Sequence, residues 1–211
     1  MNPVRVAQST ALPFTGLQLL EHLRIPEQGT LTDHQTDLAL AAVQYVEDYC
    51  GITVMDTNWS WRLDAFVGSR DAADDFWYEA IPRGRVRGGA IIKLPRPNLR
   101  VVNSIVYVNA QGVSTTMPTA DYQVDTIRSR IAPNPAGTTW PQVGETLNNV
   151  EINYHAGYQN ASDVPYALKL AIMELISYYH DQASDAGSPI VFHHLPHGFE
   201  SKLSQFKEWG F

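Results

Sequence analysis

Few residues in this chain have the types and spacings that do chemistry. His193-His-Leu-Pro-His197, with Glu200 just beyond, carries the donors of a zinc site. Zinc sites hold their ligands on rigid elements, and Pro196 breaks any helix through this run, so no metal is assigned. Cys50, the single cysteine, closes an apolar stretch of helical period with no histidine beside it in sequence, and reads as a small buried thiol. Asp64, Asp121, Asp125 and Glu151 are spread over separate strand-like segments. Nothing there sets two carboxylates at a working separation. Trp59, Trp61, Trp77 and Tyr78 are rings that can stack on sugars, yet alternating aromatics in a strand more often fill a core. No G-x-S-x-G elbow, P-loop or dinucleotide fingerprint occurs. No catalytic, metal-binding or cofactor-binding residue is assigned, and the chain is read as a non-enzyme.

The charged groups point to surfaces instead. Residues 68–89 carry Asp71, Asp74, Asp75 and Glu79, then Arg83, Arg85 and Arg87 before Gly88-Gly89. This stretch is predicted as a long loop that separates its charges by sign. Its arginines are the residues expected to touch DNA or a partner. The chain as a whole is acidic, with net charge −7 over 211 residues. That balance opposes tight binding of free nucleic acid, which needs a basic surface to neutralise phosphates, but not a surface past which DNA slides. A hydrophobic fraction of 44% and a charged fraction of 18% are those of a folded protein. One cysteine allows no internal disulfide, as in a reducing compartment. The opening residues lack the apolar run of a signal peptide and no stretch is predicted to span a bilayer, so the expectation is a soluble protein made in a cytoplasm.

The elements that carry these residues follow from periodicity. Residues 150–182 are the organising stretch. Val150, Ile152 and Tyr154 alternate with polar residues as in a half-buried strand, and Gly157 turns the chain. A helix then opens near Pro165, capped by Ser162 or Asp163, with Leu168, Ala171, Ile172, Leu175 and Tyr179 on one face. Leu170, Met173, Ile176 and Tyr178 widen that face almost all round. Upstream, residues 1–14 read as an extended arm. Thr15-Gly-Leu-Gln18 and Thr32-Asp-His-Gln35 are capping boxes, and the second opens a helix lined by Leu38, Ala42, Tyr45 and Tyr49 and closed by Gly51. Between the helical parts the period becomes two, at Trp59–Ala65 and Val102–Val108, and Asn109-Ala-Gln-Gly112 is a hairpin turn. The predicted fold is α+β, a helical bundle of N- and C-terminal helices with an inserted small antiparallel β unit. It is read as one domain over 1–211, helical at 1–57 and 161–211, with the β insertion at 58–158. At the end of the chain Leu195, Phe199, Leu203 and Phe206 recur at helical spacing, followed by Trp209 and Phe211. Such a stripe folds back on its own core or docks on another subunit.

Taken in order, these segments resemble the head–tail connector proteins of tailed phages, also called head-completion or adaptor proteins. The resemblance rests on LQLLEHLR at 17–24, AVQYVEDYCG at 42–51, WSWRLD at 59–64, KLPRP at 93–97, VNSIVYV at 102–108 and ADYQVD at 120–125. It continues through WP at 140–141, VEINY at 150–154 with AGY at 156–158, VP at 164–165 and LPHG at 195–198. It implies a structural protein of the virion neck, assembled in the host bacterial cytoplasm. Such proteins form a dodecameric ring of identical subunits between the portal and the stopper or tail-completion protein. Double-stranded DNA passes through without a cofactor or a membrane. Adaptors of this kind also occur in prophages and gene transfer agents. The resemblance further implies that the C-terminal stripe, Phe199, Leu203, Phe206, Trp209 and Phe211, binds the portal, and that residues 196–211 are mobile until it does. Residues 68–89 exceed the corresponding connection in the family. The rival reading is a carbohydrate-binding or tail-associated hydrolytic module.

Overall fold

The computed structural model describes residues 3–7, 9–26, 30–66, 78–79, 91–134, 139–184 and 198–207. They include helices α1 (Gly16–His22), α2 (Asp33–Cys50), α3 (Tyr166–Ser184) and α4 (Phe199–Leu203). The strands are β1 (Val4–Ala7), β2 (Thr57–Leu63), β3 (Tyr78–Glu79), β4 (Ile91–Lys93), β5 (Leu99–Val108), β6 (Ser114–Thr116), β7 (Tyr122–Asp125), β8 (Arg130–Pro133) and β9 (Val150–Ala156). The protein is therefore α+β, with antiparallel sheets. It divides into two compact units. One is Ser9–Met55 with Tyr158–Trp209; the other is Met1–Gln8, Asp56–Gly157 and Gly210–Phe211.

In the helical unit, local chemistry sets the helix ends. The Thr15 and Thr32 side chains accept from the Gln18 and Gln35 amides, and each glutamine returns a bond to the threonine backbone, as both capping boxes predicted. Gly51 closes α2 at φ 71, a left-handed conformation that favours glycine. The opening of α3 differs from the prediction. Ser162 and Asp163 lie in a 3-10 turn separated from the helix by Val164 and Pro165, and the Asp163 carboxylate accepts from Asn160 and Ser162 instead. Leu168, Ala171, Ile172, Leu175, Ile176 and Tyr179 of α3 pack with Ala39, Val43 and Val46 of α2, Leu19 of α1, and Phe199 and Leu203 of α4 in one core. Leu175 is fully buried as expected and Tyr45 partly so. The apolar coat of α3 is not closed: Tyr166 and Leu170 face solvent at 84% and 53% exposure, while Lys169 beside them is buried and lays its ammonium over the Tyr166 ring.

In the β unit, one sheet runs β1-β2-β9-β5-β6 and the other β3-β4-β8-β7. The first strand corrects the reading of residues 1–14 as an arm: Val4 pairs with Ser60 and Arg5 with Trp59. The alternation of Trp59, Trp61 and Leu63 buries all three, opposite Tyr154, Ile152 and Val150. Phe66 stacks flat on Trp140 at 4.8 Å, which brings the Trp140 loop into this core. The turn at 109–112 forms the β5–β6 hairpin as predicted, with Gly112 at φ 78 and the Asn109 side chain accepting from the Gln111 and Val113 amides. Within the stretch predicted as a long loop, Tyr78–Glu79 is a strand paired with Ile92 and Ile91.

Candidate assembly surface

Several of the residues considered for chemistry have structural partners in the fold. Cys50 is fully buried, with its Sγ 3.9 Å from the Leu203 carbonyl, and burial pushes its thiol up to about 11. Asp64 accepts the Asn148 amide, and Asp125 binds Arg130 at 2.8 Å while accepting the Arg128 amide. The Arg130 side chain, as the main cause, holds the Asp125 carboxyl below its usual value. Glu151 accepts from Ser60 and pairs with Arg62. These carboxylates are not brought together, and among the described residues no group of His, Cys, Asp and Glu is arranged to hold a metal. Trp59 and Trp61 are buried and present no face to a sugar. The histidines at 193, 194 and 197, together with Trp77, lie outside the described residues, as does the Tyr78 side chain.

Among the described residues, two regions are candidates for assembly. The first is built on the C-terminal stripe. Gly198 takes φ 80 and opens α4, so that Phe199 and Leu203, one turn apart, both point into the core of the helical unit and are fully buried. Phe199 meets Tyr45, which stacks on Tyr49. Lys202 pairs with Glu174 of α3 at 2.6 Å, and Lys207 lies 4.7 Å over the Tyr49 ring. Phe206 is half-buried at the margin of the same core. Phe199 and Leu203, expected to bind the portal, thus lie in the core of their own subunit. An apolar face of this size finds α2 and α3 within its own subunit, and burying each large side chain gains ~1.5–3 kcal/mol. Trp209 and Phe211, and likewise Arg83, Arg85 and Arg87, lie outside the described residues.

The second surface is the polar face of the five-stranded sheet, which inspection of the sequence missed. Antiparallel register places Asn58, Ser60 and Arg62 of β2 beside His155, Asn153 and Glu151 of β9, and these beside Val101, Ser104 and Val106 of β5. Asp56, just before β2, accepts from Arg100 of β5 and lies 3.1 Å from Nδ1 of His155. Arg62 and Glu151 form the next pair along the sheet. Opposite charges are matched across neighbouring strands, which leaves the face polar and internally neutralised. No local signal reveals this grouping, because its members come from widely separated parts of the chain. Separate from it, Ile127 at the β7–β8 turn and Leu147 before β9 are exposed at 93% and 77%.

No helix among the described residues is long and apolar enough to cross a membrane. The sequence matches no family model and no curated protein. Solved structures, however, match almost end to end. A chain in the neck of a native gene transfer agent particle, computed with C12 symmetry, aligns at a TM-score of 0.67 and 20% identity, covering 98% of this chain and 95% of that one. A chain in the neck of an empty particle, computed with C6 symmetry, aligns at 0.65 and 18% identity with the same coverage. A chain in the virion of a native gene transfer agent aligns at 0.66 and 18% identity, again over 98% of this chain. The protein has the fold of chains found in gene transfer agent necks and virions.

Proposed function

We propose that this protein is a structural, non-enzymatic component of a phage-like virion neck. Its subunits form a ring, taken as dodecameric, between the portal and the stopper or tail-completion protein, and the ring extends the DNA channel and joins head to tail. The observation that carries the reading is the end-to-end fold match to a chain in a neck computed with C12 symmetry, over 98% of this chain and 95% of that one. In this arrangement the helical part acts as a bundle that carries the C-terminal segment to the portal. Phe199 and Leu203 anchor the segment to its own subunit, and Phe206, Trp209 and Phe211 make the portal contact. Arg83, Arg85 and Arg87 are assigned to a neighbour or to passing DNA. An overall charge of −7 keeps that passage free of tight phosphate binding. The test is electron microscopy of the purified protein alone and of particle necks, with tail joining to filled heads as the functional readout. Rings in the neck and loss of tail joining without the protein are expected. Particles that join tails normally without it would refute the assignment.

A further inference from the structure

We infer that neighbouring subunits in the ring are joined edge to edge through the five-stranded sheet, β1 of one copy pairing with β6 of the next. This rests on the ring reading above and adds the contact that closes it. The sheet ends in β1 on one side and β6 on the other, and among the described residues no strand of the chain covers either outer edge. A rotational ring requires an interface made of two different patches on each copy, and the two edges of one sheet supply such a pair.

Three observations favour these edges. First, neither Val4–Ala7 nor Ser114–Thr116 holds a proline or lysine, the residues that commonly keep an edge strand from pairing. The one charge there, Arg5, draws its guanidinium over the Trp59 ring at 5.0 Å, and the irregular register between Arg5 and Ala7 limits the regular stretch of this edge to Val4 and Arg5. Second, Val4 and Val6 are 66% and 56% exposed, an apolar pair at the rim of the sheet. Third, register puts both edges on one face. Val4 lies opposite Ser60, which is on the face of Arg62; Arg62 lies opposite Glu151, Glu151 opposite Val106, and Val106 opposite Thr116. Every neighbouring pair in the sheet is antiparallel, so β1 and β6 run in the same direction. Rotation about an axis near the strand direction would therefore bring β6 beside the next β1 as a parallel pair. The matched charges of the sheet face would continue from copy to copy without bringing like charges together.

The test is disulfide trapping, for which the buried Cys50 gives little background. Val4→Cys or Val6→Cys is combined in one chain with Ser114→Cys or Thr116→Cys, so that the four combinations sample the register. Oxidised, at least one double variant should give a reducible ladder of covalent multimers, whereas each single variant stays monomeric on a denaturing gel. Rings seen by electron microscopy with no ladder from any double variant would overturn the edge pairing and leave the ring reading standing. Covalent dimers from Val4→Cys or Val6→Cys alone would overturn it in favour of a two-fold contact between β1 strands. A protein that forms no ring, alone or in particle necks, would overturn both readings.

Discussion

Cys50 shows how burial shifts a residue's chemistry. Burial pushes its thiol up to about 11 from an ordinary 9.0, because the thiolate would lose its hydration in the core, and nearby Lys207 offsets this only in part. The unfolded chain therefore loses this proton first. The stability that the protonated thiol contributes is complete below pH 9 and is lost as pH rises through about 11. A difference of that size between the folded and unfolded chain corresponds to about 2–3 kcal/mol. Cys50→Ala is expected to flatten this part of the alkaline destabilisation, which denaturant titrations across that range would show; an unchanged slope would mean that other groups carry it. Tyr179, pushed up to about 12 mainly by burial, acts in the same direction at higher pH. Leu175 is the packing counterpart. Fully buried among α2 and α3 residues, its truncation in Leu175→Ala should cost ~2–5 kcal/mol, read as a fall in the denaturation midpoint.

At the scale of elements, α4 holds two roles apart. Phe199 and Leu203 belong to the helical core, and the Lys202–Glu174 pair fastens the same segment from outside. Ending the chain after residue 197 is expected to lower the melting temperature clearly, since each lost side chain removes ~1.5–3 kcal/mol of burial. Ending it after residue 207 instead should leave the melt nearly unchanged and abolish attachment to portals, because Trp209 and Phe211 are proposed to make that contact. Attachment retained by the longer truncation would move the portal contact elsewhere. The β elements follow another logic: β9 is the central strand of its sheet, between β2 and β5, and the hydrogen bond from the Tyr154 hydroxyl to the Pro95 carbonyl at 2.6 Å ties the end of β9 to the corner before β5.

For the whole molecule, charge is the governing quantity. At −7, with Asp56 and Glu151 matched to Arg100 and Arg62 on the sheet face, the protein offers free duplex DNA no concentrated cationic surface there. Binding of free duplex should be weak and should fall further as salt rises, measured by titration at several ionic strengths. Nanomolar affinity at physiological salt would contradict passage of DNA through the ring. The sheet edges carry the complementary expectation: association of subunits is directional, through backbone pairing, rather than driven by bulk charge.

Much of this architecture is local and was legible in the sequence. The two capping boxes, the glycine that ends α2, the turn at 109–112 and the period-two strands around Trp59 and Val150 each depend on a few adjacent residues. The backbone preferences of those residues do not wait for the rest of the fold. The burial of Cys50 was legible too, from its place in the last turn of an apolar helix. What only the tertiary structure decided are the meetings of distant segments: Val4–Ala7 laid on the edge of β2, Phe199 and Leu203 sunk into the helical core, and Asp56, Arg100 and His155 gathered on one sheet face. An apolar stripe specifies that it must be covered but not by what, and an alternating strand specifies its faces but not its neighbours. Register and partner are long-range choices, made by the combined packing of the sheet and the core.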